Sequence, residues 1–393
     1  MALTFLQARA SVLTHALRPT ASESVPLAEA ATRILAEPIS ADRDYPPFHR
    51  SARDGFAVRA ADLPGTLRIT GEVRAGEIFP GTLSPGEAIE IMTGAPLPKG
   101  ADAVVMVEHT TVTGNRVHVP NPITSGDNFA PQASESPAGA IVLTPGHRLG
   151  FAEIALLAMT GRECVTVYRK PRVAILPTGD EIVEAGETPQ PFQIRNSNAW
   201  SLAAQVARAG GIPEIQPIAR DNYASTRAAI ERGLASDLLL LSGGVSAGKY
   251  DIVEKVLADL GAEFYFDRVK IQPGQPVVFG TAQGKQFFGL PGNPASTMVT
   301  FEVFARAAVE ILSGATEAPL PMTRARLTAD FHHKPGLTRF LPARLSVDGS
   351  TVTPEKWGGS GDIPALARAN VFLVADPDHE SWSAGDDIRI LFK

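Results

Sequence analysis

Leu238-Leu239-Leu240-Leu241-Ser242-Gly243-Gly244-Val245-Ser246-Ala247-Gly248-Lys249-Tyr250-Asp251 is the stretch from which the rest of the chain can be placed. Four consecutive leucines suit a short strand buried on both faces, as in the parallel sheets of α/β proteins. The Ser/Gly run ends the strand, and 250–260 reads as a helix. In open α/β sheets, ligands bind beyond the carboxyl ends of the strands. Glycines there let backbone N–H groups approach an anion, and a helix N-terminus adds positive potential. Ser242 and Ser246 add hydroxyl donors, and Asp251 falls in the first helical turn. A plain chain reversal, with Asp251 complementing the helix dipole, is the other reading of the same residues.

The flanking sequence repeats this texture. Strands are predicted at 172–176, 214–218, 237–241, 264–270, 276–279 and 287–290, and helices at 197–209, 223–234, 250–260 and 294–312. Such alternation predicts a mostly parallel sheet covered on both faces. Two more strands end in unusual loops. Leu176-Pro177-Thr178-Gly179-Asp180-Glu181 places adjacent acids on a turn, a donor set that suits Mg²⁺, or solvated acids on a plain turn. Gly289-Leu290-Pro291-Gly292-Asn293-Pro294-Ala295-Ser296 fixes a rigid turn before the long helix. The three loops are expected to converge on one edge of the sheet.

Further out, 4–36 reads as helical. Leu6, Ala10, Leu13 and Leu17 recur on one helical face, and a second helix is expected over 27–36 with Ser24 as a cap candidate. From Asp44 the chain changes to short apolar runs (67–70, 88–91, 103–107) separated by glycines, which predicts an all-β unit. A helical pattern returns at 150–160. Pro319-Leu320-Pro321 marks a boundary, and short strands follow at 323–327, 346–352, 371–375 and 387–392.

The length of 393 residues predicts two or three domains, and 44% hydrophobic with 20% charged residues excludes a mainly disordered chain. Glycine (35) and proline (32) exceed the usual share, which predicts many shaped turns. The net charge of −6 argues against duplex nucleic acid as a partner. Cys164 is the only cysteine, so neither an internal disulfide nor a multi-cysteine zinc site can form; a reducing cytoplasm fits. Cys164 is expected to be a buried small residue, and His109, His332 and His333 to be surface or turn residues. The N-terminus lacks a basic segment followed by a long apolar run, and no transmembrane stretch is expected.

Several motifs together resemble one family. They are Thr178-Gly179-Asp180-Glu181, Ser242-Gly243-Gly244-Val245-Ser246 with Asp251, Pro273-Gly274 with Pro276, and Leu290-Pro291-Gly292-Asn293-Pro294 with Ser296. The N-terminal half adds Ser51-Ala52-Arg53-Asp54-Gly55-Phe56-Ala57 and Ile91-Met92-Thr93-Gly94-Ala95-Pro96. The set is similar to the molybdopterin molybdenumtransferase (MoeA) family, which includes the E domain of gephyrin, and it covers essentially the whole chain.

The resemblance implies a multidomain α/β and β protein. An elongated helical segment (1–50 and 138–170) would serve dimerisation and carry an inserted β domain (51–137). A three-layer, molybdopterin-binding α/β domain (171–315) and a small C-terminal β domain (316–393) would follow. It implies a homodimer whose site lies between the α/β domain of one subunit and the inserted domain of the other. The implied reaction inserts molybdenum from molybdate into adenylylated molybdopterin, releases AMP and requires Mg²⁺. Other proteins of molybdenum cofactor biosynthesis are implied as possible partners. Asp54, Thr93, Glu181, Asp221 and Asp251 would be catalytic, and Asp180, Glu181 and Asp251 would handle the metal. Ser242, Gly243, Gly244, Ser246, Lys270, Pro291, Asn293, Pro294, Ser296 and Ser360 would bind substrate.

The chain departs from the family pattern at three places. Asn128-Phe129-Ala130-Pro131-Gln132-Ala133-Ser134-Glu135 lacks two expected arginines and keeps an acid in Glu135. Gln272 and Gln275 stand where lysines are usual, with Lys270 two residues upstream. Arg339 and Arg344 are displaced candidates for a further pair of cations. A weaker hold on molybdate is expected. Two alternatives stand beside the transferase: a protein that binds molybdopterin without turnover, and a molybdopterin adenylyltransferase.

Overall fold

The computed structural model describes residues 2–19, 21–244 and 252–393. A six-stranded sheet at the centre runs in the order Ile212–Ile215, Arg172–Pro177, Leu238–Ser242, Lys285–Leu290, Val278–Ala282, Glu263–Phe266. The first four strands are parallel, and the last two pairings are antiparallel. The expected parallel sheet is thus present, with a hairpin at one edge.

Side-chain alternation along the strands explains the apolar runs. Leu238 and Leu240 enter one core with Val173, Ile175, Phe288 and Leu290. Leu239 and Leu241 enter the opposite core with Ala174, Leu176 and Phe287. A strand buried on both faces must be apolar at every position, which is why four leucines can follow one another. The helices Asn198–Arg208 and Pro294–Thr300 cover the first face, and Tyr223–Gly233 and Ile252–Asp259 the second.

The connections leave the Arg172–Pro177 strand to one side and return to its other side at Leu238–Ser242. The order therefore reverses between those two strands, and such a switch point leaves a crevice at their carboxyl ends. The helix after Lys285–Leu290 starts at Pro294 and continues, through a π-helical turn at Phe301–Ala305, to Leu312. Arg9 anchors that turn by donating to the Val303 carbonyl at 2.8 Å.

The N-terminal segment differs from its prediction. Only Phe5–His15 is helical, and its buried residues are Phe5, Ala8, Arg9 and Val12. Leu6 is 71% exposed and Leu13 41%, so the leucine stripe faces away from the core. No helix covers 27–36, where Leu27–Glu29 makes a single 3-10 turn. Ser24 is no cap: Ser22–Pro26 is a strand paired with Cys164–Tyr168. Local spacing could not reveal that pairing, because its partner lies about 140 residues on and supplies the backbone bonds a helix would otherwise make. Ile39–Ser40 with Ile141–Leu143, and Arg50–Ser51 with Phe129–Ala130, continue the ribbon. The two stretches flanking the inserted unit are thereby zipped together. Cys164 is exposed, contrary to expectation, because Val165 and Val167 take the inward positions of its strand.

The inserted unit is a six-stranded sheet with two apolar clusters. The C-terminal strands Thr338–Leu345, Thr351–Pro354, Met322–Leu327, Asp387–Phe392 and Val371–Ala375 pair in a ring that closes on its first member. Ile271–Gln272 adds to Thr338–Leu345 and ties this barrel to the α/β unit. His333 is 7% exposed, not a surface residue, with Nε2 facing the carbonyls of Asp376 and His379. No helix among the described residues is long and apolar enough to cross a membrane.

Candidate active site

The crevice predicted by the strand order is a cavity of about 440 Å³. Its walls are the three loops named from the sequence: Pro177–Glu181, Ser242–Gly244 and Pro291–Pro294. Asp221 and Pro276 complete the rim with the segment 194–198.

Backbone bonds hold the loops in register. Thr178 N–H donates to the Ser242 carbonyl at 3.1 Å, Gly179 N–H to that of Ala219 at 3.1 Å, and Gly243 N–H to that of Leu290 at 3.0 Å. Gly243 and Gly244 have φ of 95° and 64°, a region that disfavours side chains. A Cβ on Gly243 would lie 3.0 Å from the Thr178 carbonyl oxygen, and one on Gly244 2.7 Å from Val253. Glycine is required here by conformation and by space together.

The acids gather on the first loop and its neighbour. Asp180 N–H donates to an Asp221 carboxylate oxygen at 3.4 Å, and Asp221 N–H to one of Asp180 at 3.2 Å. Arg220 reaches the carbonyls of Asp180 and Ile182 at 3.3 Å. This exchange locks the two loops together and leaves Glu181 and Asp221 on the cavity wall. Among the described residues no three His, Cys, Asp or Glu side chains form a cluster able to hold a metal ion by themselves. The donor set still suits Mg²⁺, which is held by one or two carboxylates together with ligand phosphates and water.

The remaining wall is built from helix starts. Pro294 occupies the first turn of its helix, where the missing N–H costs nothing. The Ala295 N–H donates to the backbone carbonyl of Ser360 at 2.9 Å, which brings the C-terminal glycine-rich loop against this corner. Ser296 is 4% exposed inside that helix and does not line the cavity. Lys270 also lies off the cavity; its N–H donates to the Leu3 carbonyl at 2.8 Å. Gln272 instead sits in register with Arg339 of the barrel. Ser246 and Asp251 lie outside the described residues.

Asp54 and Thr93 stand apart from the cavity, on the inserted unit, and are both exposed. They meet each other: Thr93 N–H donates to Asp54 Oδ1 at 2.6 Å. That bond, with the Thr93 hydroxyl, holds the Asp54 carboxyl below its usual pKa. The turns that carry them are zipped by Gly94 N–H to the Ser51 carbonyl and Ser51 N–H to that of Ala95, both at 2.9 Å.

Sequence reasoning missed the wall segment 194–198, which includes Arg195, Asn196 and Asn198. Asn198 Nδ2 donates to Ser242 Oγ at 3.0 Å and to the Gly292 carbonyl at 2.7 Å, so it straps two loops together. In sequence, Asn-Ser-Asn before a helix looks like ordinary capping, which hid them.

Residues 3–161 match the model of the MoeA N-terminal region (domains I and II), 174–310 that of a probable molybdopterin binding domain, and 324–392 that of the MoeA C-terminal region (domain IV). A Nostoc protein named molybdopterin molybdenumtransferase is 36% identical over 385 residues, covering 94% of this chain and 88% of its own. A Staphylococcus epidermidis protein of the same name is 33% identical over 378 residues, covering 94% and 90%. The crystal structure of a molybdopterin biosynthesis MoeA protein from Pyrococcus horikoshii matches over the full length of both chains, with TM-score 0.84 and 28% identity.

Proposed function

Because the chain belongs to the MoeA family, we propose that it is a molybdopterin molybdenumtransferase of molybdenum cofactor biosynthesis. It takes adenylylated molybdopterin and molybdate as substrates and releases AMP. The observation that carries this reading is the meeting of three strand-end loops in one cavity, within a chain related to such enzymes from end to end.

The loops' chemistry supports an anionic, phosphate-bearing ligand. Glycines at Gly243 and Gly244 and the hydroxyl of Ser242 allow close approach of a phosphate or pterin. Pro291, Asn293 and Pro294 shape the adjoining floor, next to the Ser360 loop. Glu181 and Asp221 would repel such a ligand unless cations offset them; Arg195 lines the same cavity, and a divalent ion would add to it. We therefore read Glu181 and Asp221, with Asp180 behind them and Asp251 from the adjoining segment, as oxygen donors to Mg²⁺. When bound, Mg²⁺ would supply neutralising charge at the phosphates. The protein's own part is to position the two substrates and exclude competing water.

Asp54 and Thr93 enter this scheme from a second copy of the chain, since they line no part of the cavity beside them. We propose a homodimer in which the inserted unit of each subunit completes the site of the other, acting in the cytoplasm.

The test mixes purified protein with adenylylated molybdopterin, molybdate and Mg²⁺, and follows AMP and active cofactor. The transferase reading predicts both products, and their loss on chelation. Bound molybdopterin without AMP release would mark a carrier. Transfer of AMP from ATP to molybdopterin would mark an adenylyltransferase.

A further inference from the structure

The cavity keeps its opposite charges apart. Arg195 is the only Lys, Arg or His among the described residues that line it, and the same wall carries Glu181 and Asp221. Backbone bonds hold the cation beside the first loop. Ile194 N–H donates to the Glu181 carbonyl and Asn196 N–H to that of Val183, both at 2.9 Å, on either side of Arg195. The short strands Ile182–Val183 and Ile194–Arg195 run parallel, with Arg195 opposite Val183.

An ion pair between such neighbours would be the simple outcome, and neither partner forms one with a described residue. The Glu181 carboxylate folds back over its own loop, so that a Cβ on Gly179 would lie 2.5 Å from Glu181 Oε2. Arg195 donates from Nε to the Glu187 carbonyl at 3.0 Å. Its two terminal nitrogens make no hydrogen bond or ion pair with any described residue. Arg195 is exposed, so solvent and solutes reach it. An exposed ion pair adds little to folding, and leaving this one unmade keeps the charge free at small cost. With Nε tied down, the Nη1–Nη2 edge remains, and its two parallel N–H donors match two oxygens on one phosphorus. Gly243 and Gly244 line the same cavity and permit close approach of such a group. Lys249 lies outside the described residues.

We propose that Arg195 selects the phosphate-bearing form of the substrate, its Nη1–Nη2 edge binding two oxygens of the phosphate. The proposal rests on reading this cavity as the site of adenylylated molybdopterin, and it names the residue that tells that form from a ligand without phosphate. Because its strand is bonded to the Glu181 loop, Arg195 also sets the phosphate in register with the carboxylates read as Mg²⁺ donors.

Calorimetry with AMP, and separately with adenosine, tests this at fixed Mg²⁺. Arg195→Gln should weaken AMP binding about ten-fold or more and change adenosine binding less than about two-fold. Arg195→Lys keeps the charge and loses the fork, so AMP binding should stay at least about three-fold weak. Added NaCl should weaken AMP binding more steeply in the unaltered protein than in Arg195→Gln, because one cation fewer is left to screen. Unchanged AMP affinity in Arg195→Gln would overturn the proposal. So would equal loss of AMP and adenosine with a lowered melting temperature, which would assign Arg195 to holding the Glu187 turn. Full rescue by lysine would overturn the fork. If the unaltered protein binds no AMP, the reading of the cavity fails first, and that outcome is visible before any variant is made.

Discussion

The strand-end cavity and the Asp54–Thr93 turn carry residues of the same implied chemistry, yet they are built differently. The cavity is enclosed by three loops, locked by backbone bonds and floored by two cores. The turn is an exposed, self-contained contact on a separate sheet. One region has the shape of a binding site. The other carries two implied site residues on an exposed turn away from that cavity. The proposed homodimer would join the two, one subunit supplying the receptacle and the other the tool.

The largest effects should distinguish the halves. Glu181→Ala should lower turnover by about 10²-fold or more, through loss of a charged group at the phosphates. Asp54→Ala should lower turnover comparably while leaving pterin and AMP binding to the cavity unchanged. Turnover and isothermal binding measured on both variants would check this. Loss of binding in Asp54→Ala would erase the proposed division.

A middle-sized effect is expected at Gly243. Gly243→Val forces a side chain into positive φ and against the Thr178 carbonyl. It should cost about 1–3 kcal/mol of stability and abolish ligand binding in the cavity. The Asp54–Thr93 turn should keep its native chemical shifts. Denaturant melts and amide spectra would show whether the damage stays on one side.

The smallest effect concerns the turn itself. The Asp54 carboxyl is held below its ordinary value of 3.8, first by the Thr93 N–H and then by the Thr93 hydroxyl. A depressed carboxyl stabilises the fold above its unfolded pKa, and that contribution is lost as pH falls through the folded one. Carboxyl titration by NMR should therefore place the Asp54 midpoint below 3.8. Thr93→Ala should raise it part of the way back, because the backbone donor remains.

Much of the first region was legible in the sequence. The leucine run, the Ser-Gly-Gly loop and the Pro-Gly-Asn-Pro turn each encode a local constraint, so strand, loop and helix followed from neighbouring residues. Alternation to two cores explains why the run needed no polar face. What escaped was set by distant pairing. Ser22–Pro26 becomes a strand only because Cys164–Tyr168 lies beside it. In the first helix, Phe5, Ala8, Arg9 and Val12 mark the buried face, and the arginine among them obscured that face beside the exposed leucines. The strand Thr338–Leu345 contains Pro342, Arg339 and Arg344, which broke its apolar pattern. The segment 194–198 was read past because what it joins, the loops at Ser242 and Gly292, is visible only once every neighbour is in place.

The division of the site can be tested by complementation between two inactive chains. Co-assembled Asp54→Ala and Glu181→Ala subunits would form mixed dimers in which one site carries both changes and the other carries neither. With random assortment, half the dimers are mixed, so about a quarter of all sites are intact. Turnover of the co-assembled sample should recover to about a quarter of the unaltered enzyme, while each variant alone stays near background. A mixture no more active than its components would contradict the shared site and return Asp54 and Glu181 to a single chain.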